Sequence, residues 1–363
     1  MVIKDKITSS QMGCLLFSIM VGVGILSLPQ AVSSKAGVDG WIAIILGGML
    51  AAGSALLMAK LGGRFPEKSL IEYGPLLIGN IFGKLLCILF IVYFLAFVSI
   101  VVRISADVTK LFLLDNTPVE VIILSTFLTS IYVIQHGINP IARFNQFVQP
   151  IAVMLLITVL FLTYSDSDLG NNLPVLGEGI EPVLRSLPTT FFSFLGFEVS
   201  LFLLPFMKNP KQAGKTIIVS FSVVVVIYVF IMITCVSVLG AKEVAYVNYP
   251  TLAIAKNIEL PGSFVERLES VMMLSWIPFA LTTMVLYHYS ASFVAARLLG
   301  LQEHRVVSLL FIPFVFLLAV LPRNVLQVDA WSQIVGMSGM LLNILSPIGL
   351  WLGYAWNKRR RRL

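Results

Sequence analysis

Runs of mostly apolar residues recur ten times along this chain of 363 residues, and each reaches or approaches the roughly 20 residues that a helix needs to cross a bilayer. They fall at about 9–31, 40–61, 80–104, 118–136, 142–164, 188–207, 213–240, 268–298, 304–322 and 332–356. Inside lipid every backbone N–H and C=O must find a partner within the protein, so segments of this kind are confined to helices. Composition points the same way. The chain is 58 % hydrophobic and 12 % charged with a mean hydropathy of +0.94, whereas soluble domains run about 45–50 % apolar and about 25 % charged. The expected class is an all-α membrane protein, a single polytopic domain spanning residues 1–363.

Two of the runs are interrupted. Gly22-Val23-Gly24 sits in the middle of the first, and Phe194-Leu195-Gly196-Phe197-Glu198 in the sixth joins a glycine to the only carboxylate deep in an apolar run. A backbone group freed in lipid costs several kcal/mol unless it lines an enclosed cavity. The pattern predicts broken first and sixth helices with a polar site between them near the midplane.

The basic residues set the topology. With the N-terminus inside, one side carries 17 of the 25 lysines and arginines, including Lys4, Lys6 and the basic tail at 357–363, and the other carries eight. The positive-inside rule then places both termini in the cytoplasm. The net charge of +7 is accounted for by topology and lipid headgroups rather than nucleic acid. Cys14, Cys87 and Cys235 lie within apolar runs, which implies neither a disulfide framework nor a zinc site. Ten spans divide into repeats at about 9–164 and 188–356. With five spans each, the second enters from the opposite side: a five-plus-five inverted repeat.

Several side chains qualify for the site. Gly22 and Gly24, with Val23 and Ile25 beside them, would let a ligand approach the backbone, and freed N–H groups at a half-helix N-terminus favour a carboxylate; close helix packing explains the same glycines. Glu198 would bind a ligand ammonium, relay a proton, or hold the unwound segment by accepting its N–H groups. Isolated in lipid it would cost roughly 2.5–3.5 kcal/mol, so it is expected to face the interior.

Val21-Gly22-Val23-Gly24-Ile25-Leu26-Ser27-Leu28-Pro29, Asn172-Leu173-Pro174-Val175-Leu176-Gly177-Glu178-Gly179, Ser193-Phe194-Leu195-Gly196-Phe197-Glu198 and Glu266-Arg267-Leu268-Glu269-Ser270 together resemble the permease subunit of spore germination nutrient receptors, within the amino acid-polyamine-organocation transporter superfamily. The resemblance covers nearly the whole chain. It implies an amino acid transporter-like fold and a subunit that binds a small germinant, typically an amino acid, in the spore inner membrane or a bacterial cell membrane. It also implies a larger membrane subunit and a lipoprotein subunit as partners. In that architecture the third and eighth spans wall the pocket, making Tyr93, Phe97, Val98, Thr282 and Thr283 lining candidates, although paired threonines also bond back to their own helix. Phe194, Leu195 and Gly196 complete the set.

Working amino acid transport, or a channel for ions or water, stands as the alternative. An enzyme is not expected: Gly336-Met337-Ser338-Gly339 resembles the motif of intramembrane serine proteases, but no histidine follows Ser338, and no His-Glu-x-x-His pattern or P-loop is present. No cofactor or metal is implied. A reporter fused after Leu363 should be cytoplasmic and one inserted between Asp166 and Glu181 external; finding both on one side would rule out the inverted repeat.

Overall fold

The computed structural model describes residues 6–256 and 268–359. Lys4, Glu266, Arg267 and the arginines at 360–362 lie outside the described residues. The α-helices are α1 (Ser9–Ala36), α2 (Gly40–Gly62), α3 (Leu70–Ile78), α4 (Asn80–Phe112), α5 (Val119–Gln135), α6 (Ile138–Leu162), α7 (Glu181–Ser193) and α8 (Ser200–Leu203). There follow α9 (Ala213–Leu239), α10 (Ala241–Tyr246), α11 (Pro250–Lys256), α12 (Leu268–Leu298), α13 (Arg305–Val320) and α14 (Val325–Arg359). Every expected span corresponds to a helical segment. By length and apolar character alone, however, six stretches among the described residues qualify as spans, or seven when α7 and the segment after it count as one. The expected ten is therefore not reproduced by that test, because α5 and α13 have only 17 and 16 residues and Gly24–Gly62, which joins the second part of α1 to α2, counts as one stretch beside the shorter Ser9–Gly22.

Local chemistry starts α1 sharply. Thr8 accepts from the Gln11 N–H at 3.2 Å while the Gln11 side chain accepts from the Thr8 N–H at 2.9 Å, a reciprocal capping box that satisfies two otherwise orphaned donors. Just before it, Ile7 pairs with the end of the sixth span, its N–H donating to Phe206 O and its carbonyl accepting from Lys208 N, both at 2.8 Å. Lys6 Nζ adds a bond to Pro205 O at 2.9 Å. The first and sixth spans are thus tied together at one end.

Packing partners come in matched couples, as an internal repeat requires. The pair α1–α9 is matched by α7–α2, α6–α12 by α14–α4, α5–α4 by α13–α12, and α6–α1 by α14–α7, while α4 against α12 joins the two third members. This places α1 and α7 at the centre, with α4 and α12 beside them.

The two expected breaks take different forms. The sixth span bends by 50° between Glu181–Ser193 and Phe197–Phe206, and Gly196 at the break has φ +123°, a conformation that a Cβ disfavours. The first span, in contrast, is helical throughout Ser9–Ala36. Its irregularity is a side chain inserted into the helical ladder: Tyr228 Oη donates its one proton to Met20 O at 2.7 Å, with Ser193 O 3.1 Å away as a second acceptor within reach, and lies against the Gly24 N–H. One hydroxyl thereby sits between a carbonyl and an N–H that are i, i+4 partners, so the helix bends its hydrogen bonding without unwinding.

Both glycines of the first span are contact points. A Cβ at Gly22 would fall 2.2 Å from Thr283 Oγ1 and 2.5 Å from Phe279 O, and one at Gly24 would fall 2.1 Å from Tyr228 Oη and 2.9 Å from Ser193 O. Gly24→Ala should therefore cost on the order of 1–3 kcal/mol and lower the melting temperature in detergent. In the Gly24→Ala/Tyr228→Leu pair the loss should be smaller than the sum of the two single losses, because the colliding hydroxyl and the ring Cζ behind it, 2.6 Å from the added Cβ, are both gone; strict additivity would show that the Tyr228 ring is not what the methyl meets.

Candidate ligand-binding site

The bend in the sixth span aims Glu198 into the centre of the bundle, where it is fully buried. Its Oε2 accepts from the Gly196 N–H at 2.8 Å. Oε1 accepts from Tyr93 Oη on α4 at 2.9 Å and Tyr287 Oη on α12 at 2.7 Å. Three donors on one carboxylate offset its desolvation. Of the roles open in the sequence, the contacts match the holding of the irregular segment, since one carboxylate joins the break to the two flanking helices.

Aromatic rings cover this cluster. Phe97 stacks on Tyr287 with centroids 4.4 Å apart and meets Tyr93 edge-on at 5.7 Å; Phe192 lies 6.4 Å from Phe97. Beyond them is a cavity of about 460 Å³ bounded by α1, α4, α7, α12, α14 and Tyr249 just before α11. Its inner end is apolar: Leu26 on α1, Phe97 and Val101 on α4, Phe192 on α7, Trp276 on α12 and Met340 on α14. Its other end is polar, with Ser34 and Lys35 on α1, Ser105 on α4, Thr189 on α7, and Asp329, Ser332 and Gln333 on α14. Lys35 Nζ donates to Thr189 Oγ1 at 2.7 Å. Trp276 Nε1 donates to Gly22 O at 3.0 Å, which anchors α12 to the middle of α1.

Of the residues singled out in the sequence, Gly22 and Phe97 line this cavity. Tyr93, Gly196 and Glu198 meet in the cluster beneath it. Val98, Ile25 and Leu195 are buried in packing, and Phe194 packs on Phe221 and Tyr228. Val23 lies within α1, its side chain outside the described set. Thr283 Oγ1 shares its one proton between Phe279 O at 2.9 Å on its own helix and Ile19 O at 3.2 Å on α1, so it fastens α12 to α1. Thr282 turns the other way, its hydroxyl within donating distance of Asn145 Oδ1 on α6 at 2.9 Å and of Pro278 O at 2.8 Å. Adjacent helical positions differ by about 100°, so two neighbouring threonines serve two different helices.

Among the cavity residues not foreseen are Trp276, Thr189, Ser105, Gln333, Asp329 and Lys35. A tryptophan in an apolar run carries an N–H that needs a partner, and that was the available signal for Trp276. Lys35 counted only as a topology charge. Gly336 and Gly339 in the protease-like motif are close-packing positions against Phe192 and Tyr93, and Ser338 Oγ donates to Val335 O at 2.8 Å.

The model of a family described as spore germination protein matches residues 6–328. The chain belongs to this spore germination protein family. Among its relatives in Bacillus subtilis (strain 168), spore germination protein YndE is 32 % identical over 98 % of each chain. Spore germination protein A2 is 33 % identical over 87 % of each. Among solved structures, MhsT in complex with L-phenylalanine aligns with a TM-score of 0.70 at 15 % identity, covering 97 % of this chain and 90 % of that one. This spore germination family member therefore has a transporter-like fold in which the bent sixth span and the Glu198 cluster occupy the core.

Replacing Glu198 tests the cluster. Glu198→Gln keeps an acceptor oxygen and should give folded protein with a modestly lower melting temperature; Glu198→Ala leaves the Gly196 N–H and two tyrosine hydroxyls without acceptors and should sharply reduce the yield of monodisperse protein. Equal yields and melting temperatures for the two variants would show that the carboxylate does not hold the bend.

Proposed function

We propose that this chain is the germinant-binding subunit of a spore germination receptor and recognises a small nutrient such as an amino acid in the cavity between α1, α4, α7, α12 and α14. The observation that carries this reading is the cavity itself. At about 460 Å³ it lies within the roughly 300–1,000 Å³ of small-molecule pockets and combines apolar walls with a few polar groups. MhsT, which shares the fold, was solved with L-phenylalanine, and that ligand class is carried over here as part of the proposal. So are the remaining assignments: the spore inner membrane as location, both termini in the cytoplasm, a larger membrane subunit and a lipoprotein subunit as partners, and signalling by binding rather than by catalysis.

The aromatic floor supports binding over a continuous channel, because the Phe97 and Phe192 rings lie between the cavity and the Tyr93, Tyr287 and Glu198 cluster. Calorimetry on the purified full-length protein with each of the twenty amino acids should reveal saturable binding of at least one. Ala31, which lines the cavity, gives the control: Ala31→Trp should weaken that binding at least tenfold while changing the melting temperature little. Accumulation of the ligand in liposomes would instead identify a working permease, ligand-independent leak a channel, and silence across all twenty amino acids would overturn the reading.

A further inference from the structure

We propose that the cavity takes an amino acid with a large apolar side chain, inserted side-chain end first, with its carboxylate on Lys35 and Thr189 and its ammonium towards Gln333. This rests on the ligand-binding reading above and assigns its orientation and size class.

The polarity of the cavity is sorted by depth on three helices. On α7, Thr189 lines the polar end and Phe192 the apolar end; three residues apart, they share a face and differ by about 4.5 Å in rise. On α14, Gly336 sits against the Phe192 ring, where a Cβ would fall 2.1 Å from Cδ2. Gln333, three residues earlier, therefore lies one turn further out, level with Thr189. On α4, Phe97 lies at the floor and Ser105 at the rim. The step from rim to floor on α7 and α14 is one helical turn, about the reach of a leucine or phenylalanine side chain from its α-carbon.

Charge decides which end of the ligand faces outward. Among the described residues, Lys35 and Asp329 are the only charged side chains lining the cavity, and both belong to the rim. Lys35 leans across to Thr189, its Nζ 2.7 Å from the hydroxyl, which fixes the ammonium at the level where a carboxylate would arrive. Asp329, four residues before Gln333 on α14, places a negative charge one turn further out and favours a cationic group on that side. Ser105 is 8 % exposed and its Oγ, with no hydrogen-bond partner among the described residues, is a buried polar group that a ligand could satisfy. At the inner end α1 is helical throughout, and the Gly24 N–H faces Tyr228 Oη. A deep carboxylate would thus meet no cation and an occupied backbone, whereas an apolar side chain would meet Phe97, Phe192 and Trp276.

The test uses full-length protein in detergent with L-phenylalanine, L-phenylalaninamide and L-alanine as probes. L-Phenylalanine should bind at least tenfold more tightly than L-alanine. Lys35→Met should weaken L-phenylalanine about tenfold to a hundredfold, the loss of a charge-assisted hydrogen bond, while changing L-phenylalaninamide less than threefold. Its melting temperature should stay near the parent value because Lys35 is exposed. Gln333→Leu should weaken both probes, since both keep the ammonium. Equal effects of Lys35→Met on the two probes, or no effect on either, would overturn the orientation. Binding of L-alanine as tight as that of L-phenylalanine would overturn the size class. If Ala31→Trp abolishes binding while Lys35→Met spares it, the cavity remains the site and only the orientation falls.

Discussion

A carboxylate buried at the centre of the bundle is the interaction on which this structure turns. Glu198 accepts from the Gly196 N–H in the bend and from the hydroxyls of Tyr93 and Tyr287. Without it the bend would leave a backbone donor bare where no water supplies an acceptor, and two tyrosine hydroxyls would lose their partner. The same contacts set the position of the ring layer above: Tyr287 is at once a hydroxyl donor to Glu198 and a stacking partner of Phe97. The bend, the two flanking helices and the cavity floor are therefore fixed by one group.

The first span solves a related problem by other means. Its carbonyls at Ile19, Met20, Gly22 and Ile25 each receive a side-chain donor, from Thr283, Tyr228, Trp276 and Thr251. These donors come from α9, α11 and α12, so the second repeat holds the first by its backbone. Close approach is the condition for such bonds, and glycine at 22 and 24 permits it. Both glycines that read as a ligand-approach site are places where neighbouring helices touch α1, and Gly22 also lines the cavity.

Above the floor, the cavity is a surface between elements rather than a property of any one of them. Its walls come from both repeats, and its polar rim from the ends of helices whose charges, read along the chain, serve equally well as topology signals. Placed around one opening, Lys35 and Asp329 become the only charges among the described residues that face it. The fold shared with MhsT over most of both chains at 15 % identity fits this division: the helical framework persists through large changes of sequence, while the side chains that face the cavity are free to differ.

The sequence by itself determined the class, the helical segments, the bend at Gly196 and the interior position of Glu198. Each follows from a local cost: an apolar run has no stable place in water, a glycine with a nearby carboxylate has no cheap place in lipid, and neither cost depends on what lies opposite. Only the tertiary structure decided what the donors and contacts would meet. Thr282 and Thr283 are adjacent in sequence yet bond to α6 and α1 respectively, because a helix rotates about 100° per residue. Gly24 could be read as an opening for a ligand until Tyr228, far along the chain, was seen to bring its hydroxyl there. Lys35 gains its meaning only from Thr189 and the rim around them, since a cation at the end of one helix carries no record of which helices will stand beside it.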